Sequence, residues 1–106
     1  MKRGDVYAFS PPRRGRGRGL EGLRYAVVLQ GDALLGLSTV VVAPTSAGAL
    51  ASSYRPEIEI TGRHTRILVE QLRAIDPSRL GRRIGTLAWD EMRSVDEALK
   101  VVLGLF

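Results

Sequence analysis

Arginine, hydroxyl and carboxyl groups interrupt the apolar runs of this sequence at points where they could do chemistry. Arg24 comes directly before the run Tyr25–Leu29. Thr45 and Ser46 follow a second apolar run, and Glu70 lies inside a third. A guanidinium binds phosphate oxygens through paired hydrogen bonds, and hydroxyl groups add single ones. Together these groups would suit a phosphate site that needs no metal.

Each of these groups also fits a structural role when it is taken singly. Arg24 would be a surface charge at a strand end, and Thr45 and Ser46 would start a turn. Glu70 would be a structural hydrogen-bond acceptor. A carboxylate among apolar residues is costly unless it is paired, so we expect Glu70 to have a partner in either case.

The residue inventory excludes several other kinds of site. The chain has no cysteine, which rules out disulfides and thiolate zinc sites and fits a reducing cytosol. Its one histidine, His64 in "GRHTR", rules out a nuclease with paired imidazoles, and we expect it to lie solvated in a turn. No His, Asp and Glu residues have metal-ligand spacing, so we expect no metal and no cofactor. The stretch "GRGRG" is not followed by a helix pattern, unlike a nucleotide-binding loop.

The charge of the chain favours a nucleic acid partner. Lys and Arg number 16 against 11 Asp and Glu, for a net charge of +5, and almost all of the excess is arginine. The last twenty residues instead lean acidic, with Asp90, Glu91, Asp96 and Glu97. An uneven basic charge is typical of proteins that bind nucleic acid, although an arginine-rich proteome would give the same composition. Five arginines crowd into one short stretch: Arg13, Arg14, Arg16, Arg18 and Arg24.

Short apolar runs bounded by Gly, Pro and Ser predict a mostly β protein. We expect strands at Asp5–Phe9, Tyr25–Gln30, Ser38–Pro44, Pro56–Ile60, Arg66–Ile75 and Arg82–Leu87. The alternating spacing of three and four residues from Met92 to Phe106 predicts a C-terminal helix. The expected fold is one small antiparallel barrel over residues 1–106 with this helix packed on it, and the Arg-Gly stretch forms its long first loop.

The sequence gives no sign of contact with a membrane. It contains no run of about 18 apolar residues, and its N-terminus lacks an apolar stretch long enough for a signal peptide. We therefore expect a cytoplasmic protein.

Five segments carry a resemblance to a known family. They are, in chain order, "KRGDVYAF", "GLRYAVVLQGD", "STVVVAPTS", "EQLRAIDPSRLGRRIGTL" and "DEMRSVDEALKVVLGLF". This sequence resembles the MazF/PemK toxins of bacterial toxin–antitoxin pairs over nearly its whole length. The resemblance implies an SH3-like barrel, usually a homodimer, that cuts single-stranded mRNA selectively and without metal. The products would be 2′,3′-cyclic phosphate (or 3′-phosphate) and 5′-hydroxyl ends, and a cognate antitoxin would neutralise the enzyme.

The same resemblance implies roles for individual residues. The catalytic arginine and threonine of the family fall on Arg24 and Thr45. Tyr25 stands where the family usually has proline, and Leu68 stands where PemK-like members have an arginine. We expect the mobile arginines of the first loop to contact phosphates and Tyr25 to stack on a base, although the family lacks these residues. The full set of expected RNA-binding residues is Arg13, Arg14, Arg16, Arg18, Tyr25, Ser46, Glu70 and Gln71.

Two other functions remain open from the sequence. The same barrel is used by toxins that poison DNA gyrase through their C-terminal helix, and an inactive barrel could still bind RNA. The apolar end "KVVLGLF" favours a buried helix end, which argues against the gyrase function. Trp89, Leu105 and Phe106 flank the helix and suggest a dimer interface, unless all three fill the core of one chain.

Overall fold

The computed structural model describes residues 1–9 and 24–105, and the structural statements below refer to these. In this part of the chain, a mostly antiparallel arrangement of strands precedes one α-helix, as the sequence predicts. The strands are β1 (Asp5–Phe9), β2 (Arg24–Val28), β3 (Val40–Ser46), β4 (Glu57–Ile60), β5 (Arg63–Ile67), β6 (Arg73–Ile75) and β7 (Leu80–Thr86), and the helix is α1 (Trp89–Leu103). Short 3-10 turns occupy Asp32–Leu34, Val69–Gln71 and Pro77–Arg79.

The strands form one curled antiparallel sheet in the order β4-β5-β3-β2-β1-β7, with β6 beside β3. Strand β3 makes the curl. Its first half, Val40–Val42, pairs with β6, whereas Thr45 and Ser46 at its end pair with β5 on the same edge. Strand β2 occupies the other edge of β3. The two ends of β3 therefore belong to differently oriented parts of the sheet, which closes into a half-barrel.

The single strand predicted over Arg66–Ile75 is wrong. The chain leaves the sheet after Ile67, makes the 3-10 turn Val69–Gln71 and returns as β6. The N–H of Leu68 donates to the carbonyl of Pro44 at 2.8 Å, which anchors this turn against β3. A buried apolar run has the same composition in a strand and in a packed turn, so the pattern could not separate the two.

The core has a part on each face of the sheet. Val27 belongs to the cluster that α1 covers, together with Val95 and Ala98 of the helix. Ala26 and Val28, its neighbours in β2, belong to a second cluster on the opposite face. All three β2 residues are fully buried. The uninterrupted apolar run of β2 thus reflects burial on both faces, as predicted.

Helix α1 begins with an unusual cap. Ala88 occupies the N-cap and has no side-chain acceptor. The carboxylate of Glu91 compensates, because its Oε1 accepts the N–H of Ala88 at 2.8 Å and its Oε2 accepts the N–H of Glu59 at 3.0 Å. The second bond occupies a free N–H of the edge strand β4 and ties the start of the helix to the sheet. None of the helices in the described residues is long and apolar enough to cross a membrane.

The carboxylate of Glu70 has the partner that the sequence requires. Its Oε2 accepts from Nε of Arg55 at 3.0 Å and also from Nη2 of the same guanidinium. Arg55 precedes β4, so this pair joins the connection between β3 and β4 to the turn after β5. Both side chains are about three-quarters buried, which makes the pair stronger than a typical surface ion pair.

Strands β4 and β5 are joined by the two-residue turn Thr61–Gly62, since Ile60 pairs with Arg63. Both turn residues have positive φ, 50° at Thr61 and 82° at Gly62. This combination occurs in type I′ turns, which favour Asn-Gly. A β-branched residue is strained at positive φ, so Thr61 holds a conformation that it would not choose alone.

We expect Thr61→Asn to raise the free energy of unfolding by about 1 kcal/mol, because asparagine tolerates the left-handed conformation. Urea unfolding measures the change. The control is Gly62→Ala: open space surrounds the added methyl, so only the φ of 82° opposes it, and the variant should lose stability. A Thr61→Asn protein no more stable than wild type would contradict the strain assigned to this turn.

We expect Glu70→Gln to lower Tm at neutral pH by about 4 °C or more, because it removes the charge that Arg55 contacts. Hydrogen bonds from Arg55 lower the pKa of the Glu70 carboxyl, against the opposing effect of burial. The stabilisation is therefore present above the ordinary carboxyl pKa and is lost as the pH falls through the lowered value. The gap in Tm should accordingly shrink below about pH 4.

Thermal unfolding across this pH range tests the prediction, with Glu97→Gln as the control. Glu97 forms an exposed ion pair with Lys100, so its loss should change little. A gap for Glu70→Gln that stays constant into acid would show that its charge does not contribute.

Candidate functional site

A cavity of about 650 Å³ opens where the start of β2 and the end of β3 meet the β4–β5 hairpin. It lies at one end of the half-barrel. Among the described residues, ten line it: Arg24, Tyr25, Thr45, Ser46, Ala47, Ile60, Thr61, Arg63, His64 and Thr65. The structure thus brings together four of the residues singled out in the sequence, from two separate segments of the chain.

Adjacent strands place Arg24 and Thr45 at this cavity. Arg24 is the first residue of β2 and lies opposite Phe9 of β1. Ala26 pairs with Pro44, which brings the start of β2 beside the end of β3. Thr45 is 3% exposed, so the sheet fixes the position of its hydroxyl group. A buried hydroxyl next to a strand-end arginine can be held in one geometry before any ligand arrives.

The lining of the cavity is basic and rich in hydroxyl groups. Arg24 and Arg63 supply positive charge, and none of the ten lining residues within the described part of the chain is acidic. Hydroxyl groups come from Tyr25, Thr45, Ser46, Thr61 and Thr65. Arginine forks and hydroxyl donors without a competing carboxylate are suited to hold an anion such as a phosphodiester. Within residues 1–9 and 24–105, His, Asp and Glu form no group of three that could hold a metal ion.

Two other residues predicted to bind RNA, Glu70 and Gln71, are not among the described residues that line this cavity. Glu70 and Gln71 lie on the 3-10 turn after β5, and Glu70 is engaged by Arg55. The contact of these two residues with RNA stays a prediction. The loop arginines Arg13, Arg14, Arg16 and Arg18 lie outside the described residues.

Strand β4 was predicted from the sequence, but its partner β5, which completes the hairpin at the cavity, was not. His64 does not lie in a turn but in strand β5, where its Nδ1 contacts Oε2 of Glu57 at 2.9 Å. The polar stretch from Arg63 to Arg66 hid the strand. The available signal was a Thr-Gly pair flanked by alternating residues, which is a weak form of a two-residue hairpin pattern.

Apolar side chains at both ends of α1 are open to solvent. Trp89 is 73% and Leu105 58% exposed, so the alternative that they fill the core of one chain is wrong for these two. Val101 and Leu103 are also about half exposed, which overturns the expectation of a buried helix end. Phe106 lies outside the described residues. A groove of about 440 Å³ runs beside Trp89, between α1 and the segment around Pro56.

Comparison with known proteins agrees with this structure. A family model for the PemK-like, MazF-like toxin of type II toxin–antitoxin systems matches residues 2–103. A protein of Mycobacterium tuberculosis described as a candidate toxin, Rv3098A, is 38% identical over 104 residues, which cover 97% of each chain.

Several solved structures share the fold. A mycobacterial endoribonuclease in complex with its cognate antitoxin has a TM-score of 0.79 at 16% identity, covering 100% of this chain and 97% of the other. The M. tuberculosis toxin MazF-mt6 has a TM-score of 0.77 at 17% identity, with 96% and 98% covered. MazF from Deinococcus radiodurans has a TM-score of 0.77 at 23% identity, with 99% and 97% covered.

The likeness to these structures shows the fold, and the family match and the curated relative extend over nearly the whole chain. The resemblance that the five sequence segments indicate is thereby confirmed. This chain belongs to the PemK-like, MazF-like toxin family of type II toxin–antitoxin systems.

Proposed function

We propose that this toxin is a sequence-selective endoribonuclease that cuts single-stranded mRNA in the cytoplasm without a metal ion. The observation that carries the proposal is the cavity that Arg24 and Thr45 both line, together with hydroxyl groups of neighbouring strands. Hydrogen-bond donors placed by the sheet around one cavity suit a reaction at a phosphodiester. The endoribonuclease and antitoxin named among its structural neighbours support the same reading.

The chemistry uses the nucleophile that the RNA itself carries. The 2′-hydroxyl oxygen attacks the adjacent phosphorus, the bond from phosphorus to the 5′ oxygen breaks, and a 2′,3′-cyclic phosphate forms. One proton leaves the 2′-hydroxyl and one joins the 5′ oxygen, so the step is balanced without any redox partner. The difficult point is the extra negative charge that the phosphorane carries in between.

Arg24 and Thr45 act on that charge. The guanidinium of Arg24 donates to the phosphorane oxygens and keeps its own proton throughout, so its contribution is electrostatic. The Thr45 hydroxyl, which is buried at the end of β3, adds a hydrogen bond from a fixed position. Donors held in place before the reaction lower the barrier because they need not reorganise as charge develops.

RNA binding extends beyond these two residues. Tyr25 offers an aromatic face on which a base can stack, and Ser46 offers a hydroxyl at the same rim of the cavity. Arg13, Arg14, Arg16 and Arg18 add affinity through phosphate contacts. Glu70 and Gln71 contact the RNA from the 3-10 turn Val69–Gln71, outside the cavity.

The proposal includes two protein partners. An antitoxin with an acidic segment neutralises the toxin by occupying the basic cavity. A second copy of the chain covers exposed apolar side chains at the ends of α1, so that the toxin is a homodimer. Light scattering tests the dimer directly, because a mass of 11.6 kDa at micromolar concentration would exclude it.

We expect the wild-type protein to cut a long single-stranded RNA in excess EDTA, with cleavage sites mapped by sequencing of the new 5′ ends. Arg24→Ala should slow cleavage by about 10²–10³-fold, the usual cost of one donor to a developing oxyanion. Thr45→Val keeps the shape of the buried side chain and should slow cleavage by at least about 10-fold. Circular dichroism should show an unchanged fold in both variants.

The matched control is Arg82→Ala, which removes one exposed arginine of β7 that does not line the cavity. It should cut at a rate close to wild type. An Arg24→Ala variant as active as this control would refute the assigned site. Cleavage that stops in EDTA and returns with a divalent ion would refute the metal-free mechanism. RNA that is bound but never cut would point to an inactive RNA-binding barrel.

A further inference from the structure

The β4–β5 hairpin supplies half of the residues that line the cavity, yet the proposed reaction uses none of them. The strand pairing shows which of its side chains face inward. Arg63 pairs with Ile60, and Thr65 pairs with Ile58. Both isoleucines belong to the core under the helix, and Thr65 is itself buried. Because side chains on paired residues share a face, Arg63 leaves β5 on the inner side of the half-barrel, at its open end.

Thr45 lies on the same face. It pairs with Ile67, and residues 63, 65 and 67 of β5 alternate onto one side of the sheet. Arg63 is four residues from Ile67, a distance of about 13 Å along the strand. The guanidinium of Arg63 therefore enters the cavity further along than the Thr45 hydroxyl, where it can meet a different phosphate of the same RNA strand.

The positive charge of Arg63 has no partner among the described residues. Its guanidinium makes no hydrogen bond or ion pair with any residue in 1–9 or 24–105. The neighbouring Arg66 differs, because it donates to the carbonyl of Arg55 at 2.9 Å and contacts Glu57. His64 also lines the cavity, but its Nδ1 contacts Oε2 of Glu57 at 2.9 Å. Of the charged groups on β5, Arg63 alone faces the cavity without a carboxylate partner among the described residues.

The turn that precedes Arg63 restricts the position of its backbone. A two-residue connection has no spare length, and Thr61 is held at a φ of 50° that its branched side chain disfavours. Strained residues at the rim of a binding site are typical of backbones that hold a neighbouring group in place. The Cα of Arg63 is thus held opposite Ile60 of β4 before RNA binds.

We propose that Arg63 is a second phosphate-binding residue of the cleavage site, which contacts the phosphodiester next to the scissile one and so aligns the RNA against Arg24 and Thr45. The proposal rests on the proposed endoribonuclease function and adds to it the residue that sets the register of the strand. Replacement of Arg63 should therefore remove one phosphate contact from the complex with RNA and leave the rate of the chemical step almost unchanged.

The test measures binding separately from cleavage. The probe is a short single-stranded RNA that carries a mapped cleavage site, with 2′-deoxyribose at the nucleophilic position so that it cannot be cut. Fluorescence anisotropy over a range of salt concentrations gives Kd and its salt dependence for wild type, Arg63→Ala, Arg63→Lys and the control Arg82→Ala. Arg63→Ala should raise Kd about 10-fold and flatten the logarithmic salt slope by about 0.7, the value for one phosphate of a single strand.

Two further readouts separate a phosphate contact from a general loss of charge. Arg63→Lys should recover most of the affinity, and Arg82→Ala should stay within about twofold of wild type. In a probe with one neutral methylphosphonate beside the scissile link, wild type should lose about 10-fold in affinity, whereas Arg63→Ala should lose almost nothing. With cleavable RNA, Arg63→Ala should raise KM while kcat stays within about threefold.

Equal Kd and salt slope for Arg63→Ala and Arg82→Ala would overturn the assignment of Arg63 and leave the proposed function standing. An equal loss of affinity for the methylphosphonate probe in wild type and Arg63→Ala would also overturn the assignment of Arg63. If the wild-type protein neither cuts nor binds any single-stranded RNA, the proposed function and the role of Arg63 fail together. If it binds a generic single-stranded RNA without cutting, the salt slopes on that RNA decide the role of Arg63 alone.

Discussion

Strand β3 is hydrogen-bonded along both of its edges, and the geometry of the site depends on how those edges are shared. One edge pairs with β2 over Val42–Pro44, while the other pairs first with β6 and then with β5. The change of partner curls the sheet and leaves the last residues of β3 at the mouth of the half-barrel. Thr45 is thereby buried beside the start of β2 and opposite β5. No local sequence preference would bring these three segments together, because they are separated along the chain by a loop, a hairpin and a turn.

The arrangement of charged side chains is the second feature on which the site depends. Two carboxylates near the site, those of Glu57 and Glu70, are engaged in ion pairs and do not line the cavity. Glu70 is held by Arg55, and Glu57 by Arg66 and His64. The described residues that line the cavity are instead basic, hydroxyl-bearing or apolar. An anionic substrate therefore meets positive potential and preplaced donors, and the ion pairs that stabilise the hairpin do not compete for it.

Elements with strong local sequence patterns were predicted correctly, whereas elements that depend on contacts between residues far apart in the chain were not. The apolar run of β2 and the helical spacing of α1 gave the correct structures, and strand ends carrying Arg24 and Thr45 pointed to a shared site. The segment from Arg66 to Ile75 failed, because the turn inside it is set by the carbonyl of Pro44. The polar side chains of β5 likewise concealed the hairpin that completes the cavity. The sequence context of Glu70 predicts that its carboxylate has a partner, but only the fold shows that this partner is Arg55.

The central claim is that the cavity promotes attack by the 2′-hydroxyl of the RNA, with arginine and threonine in place of a metal. Mass spectrometry of the fragments from a defined RNA oligonucleotide, cut in the presence of EDTA, tests this most directly. The claim predicts a 2′,3′-cyclic phosphate, or the 3′-phosphate from its hydrolysis, on one fragment and a 5′-hydroxyl on the other. Fragments that carry a 3′-hydroxyl and a 5′-phosphate would contradict it, because such ends require attack by water from the opposite side of the phosphodiester.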